Sequence, residues 1–231
     1  MTRELLLSGG FPALVARSNP GLRLLSDEER AASLAAILAA RPRQDAEDRA
    51  GVWVFAYGSL IWNPAIHVAE RRIARVLGWH RAFCLSVKSG RGTPEKPGLM
   101  LGLRPGGSCA GAVLRVAEGD IAQELDLLWR REMIASGYVP RWVDVETPDG
   151  APLGRAIAFT INPDGPAYAG DLSEHEIVRR LATARGMLGS GADYLFQTRD
   201  GLRAMGIADP ELEALAVRVT EAMSNDLDTT G

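Results

Sequence analysis

A glutamate near the middle of the chain stands where a helix pattern predicts an apolar side chain. Ile121, Leu125 and Leu128 recur at helical spacing and predict one buried face, and Glu132 continues that stripe four residues later. A carboxylate that loses hydration in this way has a raised pKa and suits general acid–base chemistry. The alternative is that the helix ends early and Glu132 is an exposed ion-pair partner of the adjacent arginines.

The segment Tyr57-Gly58-Ser59-Leu60 is a second candidate, because it breaks an apolar run of strand-forming residues. Gly58 permits backbone angles that other residues resist, and it lets a ligand approach the main chain closely. Successive N–H groups in such a turn form an anion-binding concavity, to which Ser59 adds its hydroxyl. The alternative is an ordinary turn at the end of a buried strand.

Other reactive residue types give weaker signals. Arg91 and Lys96 lie in a loop rich in glycine and proline, which either closes over an anionic peptide or is simply solvated. Cys84 and Cys109 occupy separate strand-like runs, which predicts two buried thiols rather than a disulfide or a nucleophile. The three histidines are far apart and lack metal-ligand spacing, so we expect no metal site.

The elements that position these residues fall into two parts, predicted as an extension over 1–50 and a domain over 51–231. In the extension, a capping box from Ser26 to Glu29 precedes an alanine-rich helix that ends near residue 40, and a charged linker covers 43–49. We expect this extension to pack on the outside of the domain or to contact another chain. None of its residues is predicted to be catalytic.

Strands dominate the first half of the domain and helices the second. Beyond the run that precedes Tyr57, the predicted strands cover 73–77, 81–87, 99–103, 110–116, 142–146 and 156–161, with one helix over 118–134. Pro105-Gly106-Gly107 predicts a tight hairpin connection. A second capping box, Ser173 to Glu176, opens a helix to about residue 188, and further helices cover 192–205 and 210–225. This order indicates an α+β fold.

Composition narrows the class of protein. The chain has 231 residues, 46% of them hydrophobic, and a formal net charge of −3. These values predict a proper core and disfavour nucleic acid as the main partner, because no basic face stands out. No run has the length of a membrane span or the pattern of a signal peptide, so we expect a cytoplasmic protein.

The order of short motifs resembles the ChaC family of γ-glutamylcyclotransferases. The run from Val52 through Tyr-Gly-Ser-Leu-Ile-Trp is similar to the first strand of that family, and Arg-Gly-Thr-Pro-Glu-Lys-Pro-Gly from Arg91 is similar to its proline-rich loop. The later similarities are Arg131-Glu132-Met133 with Gly137-Tyr138, Pro166-Ala167-Tyr168-Ala169-Gly170, and Tyr194-Leu195-Phe196.

This resemblance implies a small closed β-barrel of mixed strands with packed helices, and it implies that Glu132 is catalytic. The implied reaction converts glutathione to 5-oxoproline and Cys-Gly by attack of the substrate's α-amine on its own γ-carbonyl. Because the substrate supplies the nucleophile, no metal or cofactor is required. The predicted substrate-binding residues are Val54, Phe55, Ala56, Tyr57, Gly58, Ser59, Leu60, Tyr138 and Tyr168, with Tyr194 as a further candidate.

Two other functions stay open at the level of sequence. The same chemistry can act on other γ-glutamyl amines or amino acids, and the chain can be a non-catalytic regulatory binding protein. The place of Glu132 on an apolar helix face argues against the second, since a scaffold gains nothing from a buried carboxylate. The expected partner is a small-molecule substrate, without nucleic acid or membrane, and the sequence leaves the oligomeric state open.

Overall fold

The computed structural model describes residues 1–42 and 50–228, and the predicted linker over 43–49 lies outside them. Five strands close into a barrel with the order β1-β3-β2-β4-β5. They are β1 (Gly51–Ala56), β2 (Glu70–Val87), β3 (Gly98–Ala117), β4 (Tyr138–Glu146) and β5 (Pro152–Ile161). Most strand pairs are antiparallel. Strand β5 pairs parallel with β1, and it also pairs parallel with β3 at a single position. The predicted mixed barrel of the α+β class is confirmed.

All six residues of β1 are buried, which explains why this strand is apolar on both faces rather than alternating. It pairs with β3 on one side and β5 on the other. The chain then turns at once, with the Ile61 N–H donating to the Gly58 carbonyl and the Asn63 N–H donating to the Ser59 carbonyl. The predicted break after the first strand is therefore a compact turn.

Two long strands, β2 and β3, take the place of four short predicted ones. They pair antiparallel, and a register shift between Leu77 and Trp79 places Gly106 and Gly107 of β3 opposite Gly78 of β2. The predicted hairpin at Pro105-Gly106-Gly107 is wrong, because β3 continues through it. These glycines have positive φ values, which permit a bulge inside a strand as readily as a turn between strands.

The helices that follow differ from the prediction mainly in where they end. They are α4 (Ile121–Glu132), α5 (Glu174–Thr183), α6 (Gly191–Ala204) and α7 (Pro210–Asp228). Helix α5 ends before the predicted residue 188, because a small ladder pairs β6 (Arg185–Gly186) with β7 (Gly189–Ser190). Its predicted capping box is only half formed: Ser173 accepts from the Glu176 N–H, but the Glu176 carboxylate binds arginines instead.

Three helices precede the barrel: α1 (Arg3–Leu7), α2 (Gly10–Ser18) and α3 (Asp27–Ala39). The capping box of α3, formed by Ser26 and Glu29, is confirmed. Helix α3 packs on α4 and β4, where Trp129 Nε1 donates to Ser33 Oγ at 3.2 Å and Trp142 Nε1 donates to the Ile37 carbonyl at 2.9 Å. Helices α1 and α2 were not predicted. Within the described residues, no helix is long and apolar enough to cross a membrane.

Candidate active site

A cavity of about 800 Å³ opens where the C-terminal end of α4, the turn after β1 and the start of α6 meet. This volume lies within the roughly 300–1,000 Å³ that small-molecule sites occupy. Its polar wall includes Ser59, Arg131, Glu132, Tyr138 and Tyr194. Four of these five residues were candidates from the sequence, and the fold brings them together from four separate elements.

Glu132 is the last residue of α4, and its side chain is only 12% exposed on the cavity wall. Burial raises the pKa of this carboxyl above its ordinary value, while the neighbouring Arg131 guanidinium acts in the opposite direction. Glu132 Oε1 lies 2.8 Å from Arg131 Nε, but the geometry is not that of a hydrogen bond, and Oε1 has no hydrogen-bond partner among the described residues. Oε1 therefore has an ion-pair contact but an unfilled hydrogen-bonding capacity.

Each of the two interpretations of Glu132 made from the sequence agrees in part with the structure. The stripe formed by Ile121, Leu125 and Leu128 is buried as predicted, and Glu132 is largely buried with it. The helix does end two residues earlier than predicted, and Glu132 does pair with Arg131. The pair is buried rather than exposed, which is why the pKa of the carboxyl rises instead of falling.

Arg131 joins α4 to the turn that follows β1. Its Nη2 donates to Ser59 Oγ at 2.7 Å, and its Nη1 donates to the Asn63 carbonyl. Because Ser59 Oγ accepts this bond, its own hydroxyl proton remains available to a ligand. From the sequence, Arg131 was part of a family motif and a possible ion-pair partner of an exposed Glu132, and its contact with the turn after β1 was not predicted. Its position next to a buried glutamate was the signal, since a buried carboxylate needs a nearby cation.

The predicted tyrosines take different positions. Tyr138 lines the cavity, but its hydroxyl donates to the Leu101 carbonyl at 2.7 Å. The Tyr57 hydroxyl donates to the Phe159 carbonyl at 2.6 Å, so it neither faces the cavity nor orients Glu132. Tyr168 also lies off the cavity wall, with Arg104 stacked over its ring. Burial raises the pKa of Tyr57 and Tyr138 well above the ordinary range, so both stay protonated.

Tyr194, in the first turn of α6, lines the cavity beside the turn after β1. Burial and the nearby Glu132 carboxylate raise its pKa to about 12, so its hydroxyl remains a donor. A Cβ added to Gly58 would lie only 2.8 Å from the Tyr194 hydroxyl oxygen. Gly58 does not have a positive φ. Position 58 therefore requires glycine because the Tyr194 hydroxyl leaves no space for a Cβ, and not because of the unusual backbone angles expected from the sequence.

The remaining predicted binding residues are buried behind the cavity. Val54, Phe55 and Ala56 are 0% exposed within β1, and Leu60 is 6% exposed. None of these four side chains is among those that line the cavity. They place the turn against the barrel, and Ser59 of that turn lines the cavity.

Arg91 is a buried cation on the cavity wall. Its Nη1 donates to the Ser190 carbonyl at 2.9 Å, and its guanidinium stacks on Trp62 and Tyr194. It forms no ion pair with a carboxylate within the described part of the chain, and burial lowers its pKa from the ordinary value. Arg91 is thus placed to receive an anion. Lys96, from the same predicted loop, is exposed and lies away from the cavity.

Both cysteines are buried and free, as predicted. Within residues 1–42 and 50–228, no cluster of three histidine, cysteine or acidic side chains has the arrangement of a metal site.

Comparison with known proteins places this arrangement in a family. A sequence model described as ChaC-like protein matches residues 52–222, which contain the barrel, the Glu132 helix and the Tyr194 helix. The chain belongs to the ChaC-like family. The family motifs supply polar residues of the cavity wall, namely Ser59, Arg91, Arg131, Glu132 and Tyr194.

The ChaC-like chain has named relatives. It is 41% identical to the glutathione-specific γ-glutamylcyclotransferase of Escherichia coli K12 over 98% of its own length and 95% of that protein. It is 30% identical to the glutathione-specific γ-glutamylcyclotransferase 1 of Rattus norvegicus, over 79% of this chain and 85% of the relative. A crystal structure of the glutathione-specific enzyme from yeast superimposes with a TM-score of 0.69 at 23% identity, covering 74% of this chain and 96% of that one. That likeness shows a shared fold.

Proposed function

We propose that this ChaC-like protein is a γ-glutamylcyclotransferase that converts glutathione to 5-oxoproline and Cys-Gly. The observation that carries the proposal is Glu132, a buried carboxylate on the wall of a ligand-sized cavity, whose Oε1 has no hydrogen-bond partner among the described residues. The name of the Escherichia coli relative supports glutathione as the substrate. The catalytic domain proposed here is 51–231, with residues 1–50 as an extension.

The reaction begins with the removal of a proton, because an α-ammonium group cannot attack a carbonyl. Glu132, in its ionised form, accepts this proton from the substrate. The freed amine then attacks the γ-carbonyl carbon of the same molecule, closing a five-membered ring. An intramolecular attack of this kind needs no nucleophile from the protein, only a conformation that holds the two ends together.

The ring then expels the cysteinyl nitrogen. The carbon–nitrogen bond to Cys-Gly breaks as that nitrogen is protonated, and Glu132 returns the proton that it took up. In all, the attacking nitrogen loses two protons and the departing nitrogen gains two, so no water is consumed. A single carboxyl group with a raised pKa can serve as both base and acid, and such transfers typically contribute about 10²- to 10⁴-fold in rate.

The γ-glutamyl group is held by groups on both sides of Glu132. We assign its α-carboxylate to the turn after β1, where the Ser59 hydroxyl and the backbone N–H groups near Gly58 and Leu60 supply donors. Arg91 adds the positive charge that this anion requires. The Tyr194 hydroxyl, protonated and adjacent to the turn, is assigned to the developing oxyanion.

The other residues predicted for the site have supporting roles in this proposal. Val54, Phe55 and Ala56 fix the turn through β1, and the Tyr57 and Tyr138 hydroxyls hold backbone carbonyls of the barrel. Tyr168 lies outside the cavity wall, so we assign it no contact with substrate. The cytoplasmic location and the absence of nucleic-acid and membrane partners stay predictions.

Turnover by the purified protein tests this function. Glutathione should yield 5-oxoproline and Cys-Gly in equal amounts, and Glu132→Gln should reduce that rate by at least about 10²-fold, since only proton transfer is lost. The matched control is Glu118→Gln, which changes an exposed glutamate just before α4 and should keep full activity. Removing the carboxylate leaves the Arg131 guanidinium without its buried ion-pair partner, so some loss of stability is expected, and a cooperative thermal transition checks that Glu132→Gln is folded at the assay temperature. Comparable turnover by a folded Glu132→Gln protein would refute the assignment.

A further inference from the structure

One side of the cavity is built by the first 23 residues of the chain, which we call the N-terminal wall (residues 1–23). This part of the protein was predicted to pack on the outside of the domain or to contact another chain, and to carry no catalytic residue. Its cavity-lining residues are Met1, Phe11, Val15, Asn19, Gly21, Leu22 and Arg23. Phe11 and Val15 come from one face of α2, where they are 6% and 4% exposed.

Contacts at both ends hold the N-terminal wall against the catalytic groups. Arg3 forms two hydrogen bonds of 2.6 Å with the buried Glu124 carboxylate, in the first turn of the helix that ends in Glu132. Asn63, whose carbonyl accepts from Arg131, donates from Nδ2 to the Met1 carbonyl at 2.8 Å. Just beyond the wall, the Leu25 N–H donates to the Ile134 carbonyl at 3.1 Å. The wall is therefore attached to the frame of the site through Arg3 and Met1, and the chain is held again at Leu25, just after the wall ends.

The wall is also separable from the family's catalytic region. The ChaC-like model matches residues 52–222 and so excludes it. The alignment with the Escherichia coli relative covers 98% of this chain, so it reaches into the first 50 residues. The polar groups that we assign to the γ-glutamyl end all lie within 52–222, whereas the wall adds mainly apolar side chains.

We infer that the N-terminal wall determines specificity by contacting the part of the substrate beyond its γ-glutamyl group. This inference rests on the proposed function and adds the residues that select the leaving group. With the γ-glutamyl end held by Ser59, Arg91 and Glu132, the rest of a peptide has to extend along the remaining walls of the cavity. Phe11, Val15 and Leu22 offer an apolar surface to a small side chain such as that of cysteine, and the Asn19 amide can pair with a peptide group.

A contact with the leaving group that is the same in the ground state and the transition state acts on KM and not on kcat. The test therefore compares two substrates: glutathione, and γ-glutamylmethylamide, which ends in a single methyl group beyond the scissile bond. Leu22→Ala and Phe11→Ala remove apolar surface from the wall. Leu7→Ala is the matched control, because Leu7 lies in the same segment but is 51% exposed.

For Leu22→Ala and Phe11→Ala, we expect KM for glutathione to rise roughly 10-fold at unchanged kcat, the effect of a lost apolar contact in a pocket. The value of kcat/KM for γ-glutamylmethylamide should change less than about twofold, and Leu7→Ala should leave both substrates unaffected. In a Glu132→Gln background, the dissociation constant of glutathione measured by calorimetry should rise by the same factor as KM. This measurement distinguishes a lost contact from an unfolded protein. An equal effect on both substrates, or no effect on either, would contradict the inferred role of the N-terminal wall in specificity. The proposed cyclotransferase activity would not be affected by that result. A wild-type protein that forms no 5-oxoproline would overturn the proposed function itself.

Discussion

Among single residues, the proposed reaction depends most on the proton affinity of Glu132. Its carboxyl is buried at the end of α4, which raises its pKa, and the Arg131 guanidinium limits that rise. The raised value matters because a base has to be ionised before it can accept a proton, and it has to hold that proton long enough to deliver it. A fully exposed glutamate would be ionised at neutral pH but would be a much poorer proton acceptor.

The dependence of kcat/KM on pH should show this perturbation. The rate should fall as pH decreases through the pKa of Glu132, and the midpoint should lie above the ordinary glutamate value of 4.5. Replacing Arg131 with glutamine removes the cation that opposes the shift, so the midpoint should move to higher pH. The measurement is a series of initial rates between about pH 4 and pH 9.

Arg130→Gln is the matched control for that experiment. Arg130 pairs with Asp126 on the outer side of the same helix, at 2.8 Å, so its replacement should leave the midpoint unchanged. A midpoint of the acidic limb at or below pH 4.5, or equal shifts of this midpoint in the two arginine variants, would contradict the prediction. Either result would show that burial beside Arg131 does not set the pKa seen in kcat/KM.

Gly58 gives a second prediction at this scale. In Gly58→Ala, the new Cβ would meet the Tyr194 hydroxyl at 2.8 Å, and overpacking of this kind typically costs about 1–3 kcal/mol of unfolding free energy. Removing the hydroxyl with Tyr194→Phe should restore most of the stability lost in Gly58→Ala. A double-mutant cycle measured by denaturant unfolding gives the coupling directly. If the two losses simply add, the glycine is required for some other reason.

At the scale of elements, the site depends on how α6 begins. Ser190 caps this helix in a reciprocal capping box with Asp193, and its carbonyl also accepts from Arg91. The helix presents Tyr194 to the cavity from its first turn. A local cap therefore positions two groups of the site at once.

Replacing the cap should separate stability from binding. Ser190→Ala should lower the free energy of unfolding by about 1 kcal/mol, the usual effect of a lost N-cap, and should also raise KM for glutathione. Ser26→Ala is the control, because Ser26 forms the same kind of capping box at α3, away from the cavity. It should lose similar stability with no change in KM. Equal KM values in the two variants would show that the start of α6 does not position the ligand.

The sequence predicted elements well where local chemistry decides them. The capping box at Ser26 marked the start of α3, and the break at Gly58 marked the end of β1. The glycines at 106 and 107 were misread because a positive φ serves a bulge as well as a turn, and only pairing with β2 distinguishes the two. The end of α5 also moved, because the residues after it form the short β6–β7 ladder and the Leu188 N–H donates to the distant Gly90 carbonyl at 2.7 Å.

In the whole molecule, the glutamate that we propose as catalytic was predictable from the sequence, whereas the N-terminal side of its cavity was not. Glu132 carried two local signals, a helical stripe and a family motif. The N-terminal wall carried neither, because its attachment through Arg3 and Glu124 joins residues 121 positions apart and leaves no pattern in either segment. The ion pair between Arg131 and Glu132 was visible in sequence, but the contact from Arg131 to Ser59 spans 72 positions and was not.

In the proposed reaction the substrate's own α-amine is the nucleophile. N-acetylglutathione is the decisive substrate, because acetylation removes this nucleophile and leaves the scissile bond unchanged. Purified protein should release 5-oxoproline and Cys-Gly from glutathione and nothing from the acetylated peptide, and competition with glutathione checks that the acetylated peptide binds. Release of N-acetylglutamate and Cys-Gly would mean that water attacks the γ-carbonyl, and would contradict the mechanism even if glutathione itself were consumed.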